Sequence, residues 1–195
     1  MKNIYTWSAK LAQRNLTIAD LKTSKGKKKF TQVRVNTINE ASAATEAGID
    51  MIISNAKNIK LVRKGADKLF LTASLFWEEF ITKEEILKGA FKALENGADA
   101  VFTPRNAEII EMLAKEDIPV MGHLGLVPRK SSWFGGLAVS PQISSINKYI
   151  TSVFRSEPID IVTIFVLLEI SSITFSGITS PSTANAPAFS RSLNF

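Results

Sequence analysis

The sequence predicts an α/β fold built on a parallel sheet, and two observations carry that prediction. From Phe30 onward, short apolar runs of strand type alternate with helix-compatible segments, which is the pattern of successive βαβ units. The phrase Glu-Ala-Gly-Ile-Asp at 46–50 returns as Glu-Asn-Gly-Ala-Asp at 95–99, so the same turn of architecture is used twice.

Phe30 to Val35 reads as a strand. Asn39 to Ala47 is alanine-rich and helix-compatible, and Gly48 stands where a C′ glycine closes a helix. Met51-Ile52-Ile53 forms the next strand, Lys57 to Lys64 a short basic helix or loop, and Lys68 to Ala73 a buried strand. Thr82 and Glu85 make a capping box at the head of an amphipathic helix, Lys83 to Glu95, which Asn96-Gly97 ends. The cycle repeats with a strand at Ala100 to Thr103, a helix at Ala107 to Ala114 and a strand at Ile118 to Gly122. In such folds the chemistry lies at the C-terminal ends of the strands. The segments to inspect are therefore 54–57, 74–77, 104–106 and 123–126.

After Gln142 the character changes. Residues 143–195 carry only Lys148, Arg155, Glu157, Asp160, Glu169 and Arg191 as charged side chains, and they are rich in serine. The apolar run Ile159 to Ile170 is too short and too polar for a membrane span. The expected organisation is a partial βα domain over 1–142 and an irregular tail over 143–195, disordered towards its end. A switch this abrupt is also what a shift of reading frame produces.

The 195 residues include no Cys, which excludes disulfides and thiolate chemistry. The start MKNIYTWSAK lacks the apolar region of a secretory signal, so a cytoplasmic location is expected. The net charge of +6 raises the question of nucleic acid. Its densest cluster, Lys25, Lys27, Lys28 and Lys29 around Gly26, has no interleaved aromatics to stack bases, and reads as a solvated turn leading into a first strand. Neither nucleic acid nor membrane is expected as a partner. No Walker loop, G-x-G-x-x-G, G-x-S-x-G or metal-type His spacing is present.

The wording is specific in three places: Thr17-Ile-Ala-Asp20-Leu21 before the lysine run, Glu46-Ala-Gly-Ile-Asp50, and Ile118-Pro-Val-Met-Gly-His-Leu-Gly-Leu126 followed by Pro128 and Gly135-Gly136. From about Thr17 to Gln142 the chain resembles the ketopantoate hydroxymethyltransferase (3-methyl-2-oxobutanoate hydroxymethyltransferase) family. The resemblance implies a (β/α)8 TIM-type barrel, incomplete here at about five βα units. It also implies methylenetetrahydrofolate and Mg2+ as cofactors, and hydroxymethyl transfer to the keto acid α-ketoisovalerate in pantothenate synthesis. A homo-oligomer is implied as well.

That chemistry needs a hard cation held by carboxylates, a base for the β-proton and a folate site. Where the family has Gly-Asp-Ser after the second strand, this chain has Ser54-Asn55-Ala56; where it has Ala-Asp, this chain has Ala73-Ser74; where it has Lys-x-Glu, this chain has Phe102-Thr103-Pro104. Asn55, Ser74 and Pro104 thus occupy the family's acidic positions, and weak magnesium binding is expected. The family's glutamate base lies further along, and neither Glu157 nor Glu169 sits in a matching motif.

His123, the one histidine, falls on the Gly-His-x-Gly-Leu phrase and reads equally as a substrate contact with Ser74 or as a packed residue of the barrel mouth. Glu78 and Glu79 are candidate replacement ligands, with a solvated loop pair as the plainer reading, and Phe76 and Trp77 read as packing residues. Trp133-Phe134 are expected at an exposed apolar edge where the rest of a barrel, or a partner, would sit. Two functional readings follow: a hydroxymethyltransferase with absent or altered activity, or a non-catalytic homologue that assembles with a full-length enzyme.

Overall fold

Every strand predicted from Phe30 onward enters one parallel sheet. The computed structural model describes residues 1–25, 27–123 and 131–136. The tail over 143–195, with the Ile159 to Ile170 run, lies outside the described residues, as do Leu124, Leu126 and Pro128.

The chain begins with an element the sequence reading did not contain, an antiparallel hairpin of β1 (Lys2–Tyr5) and β2 (Leu11–Arg14), in which Lys2 faces Arg14 and Tyr5 faces Leu11. A short helix α1 (Ile18–Thr23) follows, capped by Thr17, whose hydroxyl accepts from the amide of Asp20 while the Asp20 carboxylate accepts from the amide of Thr17. This is the reciprocal arrangement of a capping box with Asp in place of Glu. The lysine run is an exposed turn, as expected, but it leads into the third strand of the chain rather than the first.

The sheet then builds up in chain order: β3 (Gln32–Arg34), α2 (Ile38–Glu46), β4 (Met51–Asn55), a 3-10 turn at Ala56–Asn58 continuing into α3 (Ile59–Gly65), β5 (Phe70–Ser74), α4 (Lys83–Glu95), β6 (Ala100–Thr103), α5 (Ala107–Lys115) and β7 (Val120–Gly122). A further short helix, α6, covers Ser131–Phe134. The strand order is β3-β4-β5-β6-β7 without reversal, the order of a singly wound barrel and not of a doubly wound sheet.

Local signals explain the helix ends. Thr37 with Glu40 and Thr82 with Glu85 form complete capping boxes, and Asn106 caps α5 through the amide of Ile109. Gly48, at φ +70, takes the left-handed turn out of α2 that a side chain would resist.

The register divides the sheet into two faces. Ile52, Leu71, Ala73, Leu75, Val101 and Val120 pack against the helices in the main core. On the opposite face Met51, Phe70 and Ala100 form a second cluster with Leu21 of α1, flanked by Leu16, Ile18 and Phe30. Helix α1 and the residues flanking it thus close the N-terminal end of that face with apolar side chains. Its C-terminal end is polar.

The repeated Asp has one structural role in both copies. Asp50 accepts from the amide of Thr31, just ahead of β3, and Asp99 accepts from the amide of Leu71 in β5. Each carboxylate sits at the entry of the strand that precedes its own, where an otherwise unpaired donor would be exposed. No described helix is long and apolar enough to cross a membrane.

Candidate functional site

The polar end of the inner face is set by strand register. Asn55 closes β4 and Ser74 closes β5, and the two are direct partners across the sheet; Ser74 in turn faces Phe102 of β6. Phe102 faces Met121, so His123, two residues on, lies on the same side, and the Phe102 and His123 rings stand 6.0 Å apart. Sequence reasoning named Asn55, Ser74 and His123 separately, and the register brings all three onto one face. Pro104 follows β6 immediately and is half-buried at the rim.

Arg34 was not anticipated. It faces Ile53 across β3 and β4, two residues from Asn55, and its guanidinium donates to Asn55 Oδ1 over 3.2 Å. The same guanidinium lies 4.7 Å above the ring of Phe76. Phe76 is therefore not merely a packing residue, since its ring face holds a cation at the mouth. The signal was present in the alternation of Gln32, Val33 and Arg34, which puts Arg34 on the face opposite Val33; knowing which face is inward required the register.

Ser74 is buried, and its Oγ has no hydrogen-bond partner among the described residues; Thr72, one step down the same face, is in the same condition. A hydroxyl buried without a partner costs about 1–3 kcal/mol. Ser54, on the opposite face, is in the same condition, and the register sets Thr72 level with Arg34 across the sheet.

Glu78 and Glu79 lie in a tight turn instead of an extended loop, with the amide of Glu79 bonded to the carbonyl of Phe76 over 3.0 Å. Glu79 accepts from Lys57 Nζ at 2.8 Å, so its charge is already matched across the mouth. Trp77, beside Phe76, is 37% exposed. Arg105, also missed, donates to the carbonyls of Phe80 and Ile81 and ties the loop after β5 to the end of β6. The side chains of Trp133 and Phe134 are outside the described residues, so the expected apolar edge is as well; Gly135 and Gly136 are exposed, with positive φ.

The divalent metal implied by the resemblance does not fit this donor set. Among the described residues no three His, Cys, Asp or Glu side chains converge. The oxygens at the strand ends belong to an amide and a hydroxyl, and the amide oxygen already faces a guanidinium. A small dication needs charge to offset its dehydration, and here it would meet a cation instead.

Comparison with known proteins identifies the family. A family model described as ketopantoate hydroxymethyltransferase matches residues 54–155. This chain belongs to the ketopantoate hydroxymethyltransferase family. The matched span starts at Ser54, beside Asn55, and runs past the change of composition at Gln142. Among curated relatives, the 3-methyl-2-oxobutanoate hydroxymethyltransferase of Kosmotoga olearia is 32% identical over 149 residues, which is 64% of this chain and 56% of the relative. That of Thermotoga neapolitana is 28% identical over 160 residues, 69% of this chain and 59% of the relative. That of Thermus thermophilus is 40% identical over 81 residues, 40% of this chain and 31% of the relative. The chain therefore spans between 56% and 59% of the length of the first two hydroxymethyltransferases.

Proposed function

We propose that this member of the family retains a site for a small α-keto acid at the strand ends but transfers a hydroxymethyl group far more slowly than a metal-dependent hydroxymethyltransferase. The observation that carries this reading is the pairing of Asn55 with Ser74, at positions where the family resemblance implies acidic groups, together with the hydrogen bond that Arg34 donates to Asn55. Family membership supports α-ketoisovalerate as the keto acid and methylenetetrahydrofolate as the one-carbon donor.

Lewis-acid stabilisation of an enolate is worth several kcal/mol. Without carboxylates to hold the cation, transfer falls by roughly a thousandfold or more. The test is complementation of a strain that requires pantothenate, alongside a direct assay of folate-dependent transfer to α-ketoisovalerate. Absent or very slow growth is expected. Robust growth would show that the lost carboxylates are replaced.

A second reading, motivated by the neutral residues Asn55, Ser74 and Pro104 where the resemblance implies acidic ones, is a non-catalytic partner that assembles with a full-length hydroxymethyltransferase. Co-expression with such an enzyme, followed by size measurement of the purified complex, separates it from a keto-acid-binding homo-oligomer. Under both readings the chain works in the cytoplasm.

A further inference from the structure

We infer that Arg34, with Asn55 and Ser74, forms a carboxylate-binding site that works without a divalent metal, the guanidinium supplying the positive charge a metal would otherwise bring. The inference rests on the keto-acid reading given above and specifies how that site recognises its ligand.

The argument starts from the charge at the mouth. Arg34 is exposed, and among the described residues no carboxylate pairs with it; its partners are the Asn55 amide oxygen at 3.2 Å and the Phe76 ring at 4.7 Å. A guanidinium has five donors in a planar fork, and one amide oxygen with one ring face leaves most of that fork unused. Both partners orient it without neutralising it. Were Asn55 an aspartate, the fork would be closed by an ion pair at the same distance, so the neutral amide is what keeps the cation available to a ligand.

On the face that Arg34 shares, Thr72 stands level with it in the register at 0% exposed and Ser74 lies two residues further along at 1% exposed, and neither hydroxyl has a partner among the described residues. The floor beneath them is the apolar cluster of Met51, Phe70 and Ala100. A small keto acid suits this gradient: its carboxylate meets the guanidinium, its carbonyl oxygen accepts from a hydroxyl, and its alkyl end lies towards apolar side chains. A dication would instead face Arg34 across the same few ångströms. Cation and metal are alternatives here, and the residues present select the cation.

The test is calorimetric titration of the full chain with α-ketoisovalerate, once in EDTA and once in excess magnesium. Equal affinity in both buffers is expected. Arg34→Gln should weaken binding by about 10- to 100-fold, the loss of a charge-assisted hydrogen bond, with Arg34→Lys in between. Asn55→Asp should weaken it in EDTA by pairing with the guanidinium. Ser74→Ala should weaken it while leaving the urea midpoint unchanged or higher, since a hydroxyl without a partner adds nothing to the fold.

Binding lost in EDTA, or an Arg34→Gln chain that binds as tightly as the parent, overturns the inference. So does a chain that takes up neither α-ketoisovalerate nor pyruvate. If pyruvate binds in an Arg34-dependent way and α-ketoisovalerate does not, the carboxylate site stands and the hydroxymethyltransferase-type substrate is wrong.

Discussion

Arg14 reaches from the second strand of the hairpin to Asp99 at the foot of β6, its Nε donating to Asp99 Oδ1 over 2.7 Å in a pair whose side chains are only 4% and 9% exposed. The other carboxylate oxygen takes Arg63 of α3 at 2.9 Å, and Arg63 also donates to the carbonyls of Ala66, Leu69 and Gly97. One carboxylate therefore ties the hairpin, α3 and the start of β6 together at the end of the sheet remote from the site. Burial holds Arg63 below its ordinary pKa, with Asp99 opposing that shift.

Asp99→Asn would leave two poorly exposed guanidiniums without a countercharge. The expected loss is about 3–5 kcal/mol, read as a fall in the urea midpoint. Arg14→Met leaves Asp99 paired with Arg63 and should cost less, roughly 1–3 kcal/mol. Equal losses in the two variants would mean that the carboxylate does not act as the shared centre.

Gly65 ends α3 where α2 passes so close that an added Cβ would stand 2.3 Å from the backbone carbonyl oxygen of Ile38. Alanine there gains up to about 1 kcal/mol in helix propensity but must push two helices apart, for a net loss of about 1–3 kcal/mol. Gly48→Ala meets nothing within 4 Å and is strained only through its positive φ, at about 1 kcal/mol. Thermal unfolding of both variants checks the order.

Thr82 heads α4 and accepts from the amide of Glu85 over 3.2 Å. Thr82→Ala should cost about 1 kcal/mol. Because α4 follows the loop that Arg105 holds, hydrogen exchange in residues 80–86 should rise more than elsewhere in this variant.

The Asp20 carboxylate is lowered from 3.8 to about 2, first by its hydrogen bond from Lys2 and next by that from Thr17. A depressed carboxylate contributes stability above its unfolded value, and that contribution is lost as pH falls through the folded value. The link between β1 and α1 should thus weaken between about pH 4 and pH 2. Asp20→Asn should remove that part of the acid slope. The effect is modest because the group is partly solvated.

Much of the fold was legible because its signals are local. Thr82 to Glu85 specified where α4 begins, Gly48 where α2 ends, and the apolar runs placed β4 through β7 to within a few residues. The hairpin over residues 2–14 was not legible: Tyr5 and Leu11 remain exposed in it, so it shows no clean period-2 alternation. Helix α1 had a readable signal in Thr17 and Asp20, passed over because a six-residue helix has little periodicity of its own.

The sequence by itself determined the succession of βα units and the family phrases, and it set Asn55, Ser74 and Pro104 at positions where the resemblance implies acidic residues. Only the tertiary structure decided what those replacements face. Residues distant in the chain become neighbours through strand register, and register depends on how whole strands bury their apolar sides. That is how Arg34 arrives at Asn55, on the face that carries the buried hydroxyls of Thr72 and Ser74, neither of which has a partner among the described residues.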